Sequence, residues 1–377
     1  MYIVVAPDSY KGSVSAVEVA LAMERGILKI FPETKVCKVP IADGGEGTVE
    51  ALVSVTAGRM LQHRVKGPLG ESIDALWGIL GDGETAIIEM AAASGLPLVP
   101  AAQRNPCLTT TFGTGELIKA ALDAGLQKII IGIGGSATND GGVGMARALG
   151  ARFLSETGAE LPEGGAALLH LKHIDLNDLD PRLEHAEITV ACDVNNPLCG
   201  SRGASAVFGP QKGATPESVA ELDAALAHYA ECAQSITGRD IAESPGAGAA
   251  GGLGAGLLFF TPAKLKPGVE IVLEAVAFHE LVKDADFVIT GEGNTDLQTA
   301  YGKAPVGVAK VAKCFGKPVF CISGGLGKDA NDVLAQGIDA LMSICDKPMA
   351  LETCMENGAA LIESATARLC RIIKAAR

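Results

Sequence analysis

Lys128-Ile-Ile-Ile-Gly-Ile-Gly-Gly-Ser-Ala-Thr-Asn-Asp-Gly-Gly-Val-Gly144, followed by Met145-Ala-Arg-Ala-Leu149, is the stretch that decides the fold. The apolar run Ile129–Ile133 reads as a buried strand, and the residues from Gly142 to Leu149 read as a helix. A strand that passes through glycines and small polar residues into a helix belongs to a parallel α/β sheet. Glycine lets backbone amides approach a ligand closely, and a helix start offers unpaired N–H groups with positive partial charge. The guest that suits such a loop is an anion, phosphate above all. The competing reading is a tight strand–helix connection without a ligand. Gly134, Gly135, Ser136, Thr138, Asn139, Asp140 and Gly141 are the candidate nucleotide- or substrate-binding residues here.

Composition agrees with a parallel sheet. Apolar residues make up 48% of the 377 residues and aromatics only 4%, so the cores must be built from Ala, Val, Ile and Leu. That favours helices on a sheet whose central strands are continuous apolar runs. A chain of this length suggests two domains or one large α/β unit. The net charge of −13 comes without a basic stripe, so no nucleic-acid partner is expected. The ten cysteines are never closer than seven residues, which excludes CxxC zinc or redox spacing and fits a reducing, cytoplasmic setting. The first eight residues read as a strand plus an acidic loop, without the basic region of a signal peptide. Residues 244–263 carry no charge, but six glycines and prolines at 245 and 262 make a poor membrane span. They read as a long glycine-rich loop, with three roles open: a hinge, a lid, or close packing of helices. No membrane partner is expected.

Outward from the central stretch, the chain opens as βαβα. Strand Ile3–Ala6 leads to a helix for which Ser15 and Glu18 predict a capping box, and a second strand covers Lys35–Pro40. Three strands without helices follow at Met60–Val65, Ile73–Leu80 and Thr85–Met90, which marks a new structural unit. Helix–strand alternation then returns. It includes a strand at Glu187–Cys192 and a helix at Pro216–Ile236 with Thr215 as N-cap. From about residue 265 it is strict, with strands at Phe287–Thr290, Pro318–Ile322 and Ala340–Ile344 and a closing helix at Ala359–Ala376. The pattern predicts a Rossmann-like α/β domain from residues 1–60 plus 265–377, a second α/β domain inserted at 61–264, and a site in the cleft between them.

In open parallel sheets, ligands bind beyond the carboxyl ends of the strands. Four strand ends of the first domain share one character: Asp8-Ser9 with Lys11, Asp43-Gly-Gly-Glu46, Gly291-Glu292-Gly293-Asn-Thr-Asp296 with Lys303, and Ser323-Gly-Gly325. Each alone reads as a turn, since Asp and Gly are common turn formers. Together they gather carboxylates, two lysines and many glycines. That mixture suits phosphoryl transfer, which needs Mg²⁺ on one or two carboxylates, cationic groups on the phosphates and a carboxylate at the acceptor hydroxyl. Asp193, in Cys192-Asp-Val-Asn-Asn-Pro197, is an acid at a strand end of the inserted domain. No GxxxxGK[ST], protein-kinase signature or GxSxG is present. Gly132-Ile-Gly134-Gly-Ser-Ala137 fits the dinucleotide pattern GxGxxA, but Thr138-Asn139-Asp140 and further glycines intervene before the helix. A nicotinamide-dependent 2-hydroxyacid dehydrogenase is the alternative that this match supports. A non-catalytic sensor of small acids would have little use for three acidic loops and two lysines.

The ordered set Ala6-Pro-Asp-Ser-Tyr-Lys-Gly-Ser13, Ala42-Asp-Gly-Gly-Glu-Gly-Thr48, Thr110-Thr-Phe-Gly-Thr-Gly-Glu-Leu117, Gly132–Gly142, Cys192–Leu198 and Gly291–Asp296 with Gly302-Lys303 resembles the bacterial glycerate kinases of the glycerate kinase type-1 family. The resemblance runs from end to end of the chain. It implies ATP-dependent phosphorylation of D-glycerate to 2-phosphoglycerate, with 3-phosphoglycerate the product of related kinases. It also implies a Rossmann-like domain with an inserted swivelling α/β domain. The expected partner is the small molecule glycerate, with room for a homodimer. The expected cofactors are ATP and Mg²⁺. Within this frame Asp193 or Asp8 orients the acceptor hydroxyl and Lys11 and Lys303 offset phosphoryl charge. Asp43, Glu46 and Asp296 are metal-ligand candidates, and Ser9, Glu292 and Gly293 join the binding set. Arg104 and Arg202 both adjoin polar loops and are both open as carboxylate clamps.

Overall fold

The computed structural model describes residues 1–42, 44, 45 and 47–376. The chain divides into two compact α/β units. One comprises Met1–Asp43, Glu50–Ala57 and Val269–Arg377, the other Gly44–Val49 and Gly58–Gly268. Strands β1 (Tyr2–Pro7) and β2 (Lys35–Lys38) belong to the first unit. The second unit holds β3 (Arg59–Lys66), β4 (Ser72–Ile79), β5 (Thr85–Glu89), β6 (Lys128–Gly132), β7 (Arg152–Leu154), β8 (His173–Asp175), β9 (Glu187–Ala191) and β10 (Lys264–Lys266). The chain returns to the first unit with β11 (Phe287–Thr295), β12 (Val319–Leu326) and β13 (Ala340–Ser343).

The first unit is an all-parallel sheet in the order β13-β12-β11-β1-β2. Counted within the unit, this is the doubly wound order 2-1-3-4-5, whose switch point lies between β1 and β11. Alternation along β1 sends Ile3 and Val5 into a core shared with helices Ala16–Leu28 and Gly358–Ala376. Helix Ala304–Cys314 packs on β1, β11 and β12 without entering that core, so it covers the opposite face. Helix Ala16–Leu28 has half of its expected capping box. Ser15 Oγ accepts from Glu18 N, while the Glu18 carboxylate pairs with Arg25 instead.

The second unit holds a mixed six-stranded sheet, β10-β9-β6-β5-β4-β3. Its β3–β4–β5 part is the antiparallel run expected for residues 60–90, and β5, β6, β9 and β10 are parallel. Gly44–Val49 groups with this unit, although it falls inside the span 1–60 expected for the first. A Cβ on Gly132 would strike the Gly44 carbonyl, one on Gly134 would press on Gly45 Cα, and one on Gly44 would strike the Ala191 side chain.

Three expectations about loops are corrected. Residues 291–295 are not a loop: β11 continues to Thr295, and β12 continues through Ser323-Gly324-Gly325 to Leu326. Parallel pairing of Glu292 with Ser323, Asn294 with Gly325 and Thr295 with Leu326 satisfies this backbone. The glycines are there because a Cβ on Gly291 would overlap the Ile322 carbonyl, and Gly293 faces the backbone of Tyr10 and Lys11. The charge-free segment also holds no long loop. Ala249–Phe260 is a buried helix, kinked where Ala250, Gly251 and Gly252 take positive φ. It packs into both cores of the second unit, so the reading as packed helices holds and the lid does not. Among the described residues no helix is long and apolar enough to cross a membrane.

Candidate active site

The carboxyl edge of the first unit's sheet is organised at its switch point. Pro7 pairs with Gly291, and Asp8 N donates to the Gly291 carbonyl at 2.8 Å. Ser9 N donates to Asp8 Oδ1 at 2.6 Å, and the chain then folds into a short turn closed by a Tyr10–Val14 bridge. Buried Tyr10 donates its hydroxyl to the Ile322 carbonyl, which ties the turn to β12 and leaves Lys11 exposed at its tip. Asp8, Ser9, Lys11 and Gly293 therefore share one edge.

Glu292 is buried on the same edge and accepts from the hydroxyls of Thr295 (2.8 Å) and Thr299 (2.7 Å). Burial pushes its carboxyl above the usual range. The Thr299 and Thr295 hydroxyls and the Lys303 charge work the other way. Asp296 caps the short helix Leu297–Ala300: Oδ1 accepts from Gln298 N and Oδ2 from Asn294 Nδ2. Lys303 Nζ donates to Gln298 Oε1 at 3.0 Å, which fastens the lysine to the helix that Asp296 starts. Asp43 and Glu46, two of the three metal-ligand candidates, lie outside the described residues.

In the second unit, Asp193 stands exposed just past the end of β9, and its Oδ1 accepts from Gly268 N at 2.9 Å. The glycine loop after β6 divides in two. Thr138, Asn139, Asp140 and Gly141 are buried. Asp140 accepts from Thr111 N, Thr111 Oγ1, Gly142 N and Gly144 N. Burial raises its carboxyl and these four bonds lower it. Tyr229 donates to the Gly141 carbonyl, and Asn139 Nδ2 to Ser205 Oγ. The expected helix start is thus already supplied with an anion from within the chain. The helix covers only Val143–Ala148, and its leading amides go to Asp140 and to Thr111 Oγ1. Gly134 and Gly135, by contrast, reach the surface, with Ser136 beside them.

Asp140→Ala should be a stability variant. It strands three buried amides at about 1–3 kcal/mol each, so Tm is expected to fall by on the order of 10 °C. A melt within a degree or so of wild type would contradict the role given to Asp140.

One residue at this loop escaped the sequence reading. Lys212, in the turn Pro210-Gln-Lys-Gly213, is buried, and its Nζ donates to Ser136 Oγ and to the Thr138 carbonyl, both at 2.7 Å. A lysine in a polar turn reads as solvated; only its contacts reveal it. Arg104 adjoins the same turn, since a Cβ on Gly213 would strike its carbonyl. Among the described residues its Nε is buried with no hydrogen-bond partner. Arg202 is exposed.

Both sheets, then, present acids, lysines or glycine loops at their carboxyl edges, the arrangement of an α/β enzyme acting on an anionic small molecule. The model of the Glycerate kinase family matches residues 3–374, and the chain belongs to that family. It is 54% identical to a glycerate kinase of Bacillus subtilis (strain 168), over 100% of this chain and 99% of that protein. It is 55% identical to the glycerate 2-kinase of Escherichia coli (strain K12), over 91% of this chain and 90% of that protein. A solved structure from Salmonella typhimurium LT2, provisionally named glycerate kinase 2, superposes with a TM-score of 0.90 at 50% identity. That match covers 100% of this chain and 99% of that one.

Proposed function

We propose that this chain is a glycerate kinase that transfers the γ-phosphoryl group of ATP to D-glycerate and yields 2-phosphoglycerate. The observation that carries the reading is the end-to-end likeness to glycerate kinases, a glycerate 2-kinase among them, at above 50% identity. The geometry supports it: the β1/β11 switch point carries Asp8, Ser9, Lys11 and Glu292, with Lys303 held nearby by Gln298.

In this reaction the 2-hydroxyl oxygen of glycerate forms a bond to the γ-phosphorus, and the bond from that phosphorus to the β,γ-bridging oxygen breaks. The hydroxyl proton passes to a carboxylate, and ADP leaves. Asp193 is the first choice for that carboxylate, since it is exposed at a strand end while its Oδ1 is anchored by Gly268 N; Asp8 is the second. Lys11 and Lys303 offset the charge of the transferring group. Arg104 is favoured over Arg202 as the clamp for the glycerate carboxylate, because its buried Nε has no partner among the described residues.

Mg²⁺, when bound, would neutralise charge on the phosphates. Among the described residues no three His, Cys, Asp or Glu side chains gather as a metal cage. Mg²⁺ is a hard cation that takes carboxylate oxygens. Asp296 supplies a hard oxygen donor on the right edge, and Asp43 and Glu46 complete the proposed set.

ADP release that depends on D-glycerate tests the reading. Glycerate-dependent ADP formation with no change in nicotinamide absorbance supports it. Absence of ADP formation, or a nicotinamide signal with 2-hydroxy acids, overturns it.

A further inference from the structure

The glycine loop holds two features outside the roles assigned above. The amides of Gly134, Gly135 and Ser136 are consecutive and have no hydrogen-bond partner among the described residues. Gly135 has a positive φ of 73° and is exposed. Consecutive unpaired amides in a turn of this kind form a concavity that takes anions. Yet the helix that follows cannot supply the field, because Asp140 and Thr111 have consumed its leading amides. The positive charge behind the turn is a side chain from elsewhere in the sequence, Lys212, enclosed beneath it.

We propose that Lys212 is a positioning residue for anion binding: its ammonium, tied to Ser136 Oγ and the Thr138 carbonyl, holds the Gly134–Ser136 turn open and supplies the charge that an oxyanion group of a substrate meets there. The anion is a phosphate of ATP or the carboxylate of glycerate. Both offer the same chemistry to three amides backed by a cation. The inference rests on the phosphotransferase reading above.

A buried lysine is costly to keep charged, and burial brings Lys212 down to about 7; Asp140 is the charged group that acts on it, in the opposite direction. An anion seated at Gly135 favours the ammonium and raises its pKa in the complex. Binding is therefore tightest below about pH 7 and weakens as pH rises, by up to about tenfold per unit, until the pKa of the complex is passed. Deprotonation of the ATP γ-phosphate acts the other way, since a more anionic ligand binds a cation better.

The experiment measures KM for ATP and KM for D-glycerate, each with the other substrate saturating, from about pH 6 to 9. In wild type one of the two KM values should climb above about pH 7, and the one that climbs identifies the anion. In Lys212→Met that same KM should be raised about 10- to 100-fold at low pH and no longer climb with pH, with kcat changed far less. Lys212→Arg, which cannot deprotonate in this range, should remove the pH dependence without the full loss of affinity. A lysine that only held the fold would lower Tm and the active fraction but leave both KM values and their pH profile intact. That outcome for Lys212→Met overturns the inference. So do two pH-independent KM values in wild type, a readout that needs no variant to fold. A wild-type chain without glycerate-dependent ADP release fails the phosphotransferase reading instead.

Discussion

Asp193→Asn lowers kcat by roughly 10²- to 10⁴-fold, the usual worth of a positioned acid or base, and leaves Tm close to wild type. Asparagine is the informative replacement because Asp193 Oδ1 accepts from Gly268 N at 2.9 Å. An amide oxygen still accepts that bond, so the chain after β10 keeps its anchor, while the group that could take a proton is gone. The loss should fall on kcat rather than on either KM, as for an interaction made in the transition state. Steady-state kinetics beside a thermal melt check it. Wild-type turnover in Asp193→Asn would remove Asp193 from the chemistry and leave Asp8, at the first unit's switch point, as the carboxylate to substitute next.

Gly251→Ala is the counterpart on the side of the fold. Gly251 has φ of 69°, and a Cβ there would overlap the Thr138 carbonyl oxygen and crowd Asn139 Cα. The left-handed conformation costs about 1–2 kcal/mol for an L-residue. Overpacking against backbone that cannot step aside adds about 1–3 kcal/mol. Against a total stability of about 5–15 kcal/mol this is severe, and Tm should drop by on the order of 10 °C. Because the obstructed carbonyl is the one to which Lys212 donates, activity should fall by more than the unfolded fraction explains. A variant that melts like wild type would show that the helix Ala249–Phe260 has room the structure denies it.

Much of this was legible in the residues, for reasons that are physical. Ile129–Ile131 forms a buried parallel strand because a run of branched apolar residues has no polar side to turn outward. Thr215 and Pro216 start the helix Pro216–Thr237 where capping chemistry says they should. Asp8, Ser9, Glu292 and Gly293 meet on one edge because parallel strands deliver their carboxyl ends to the same side.

The rest was hidden by glycine and by burial. In Gly291-Glu-Gly-Asn-Thr295, glycine usually signals a turn; here it lets two strands and the Tyr10 turn approach, and only the pairing with β12 reveals a strand. In Ala249–Phe260, glycines at 251, 252, 254 and 256 removed the helical signal. Each is there because Thr138, Gly141, Gly142 or Gly246 presses backbone against it. Lys212 gave no signal at all, since its burial depends on a loop some seventy residues earlier in the chain.

The most direct test of the whole account is a phosphorus NMR spectrum of the chain incubated with ATP, Mg²⁺ and D-glycerate. The expected spectrum shows ADP and, in equal amount, a phosphomonoester whose phosphorus is split into a doublet by the single proton on carbon 2. A triplet from the two protons on carbon 3 would contradict the proposed product, and an unchanged ATP spectrum would contradict the proposed reaction itself.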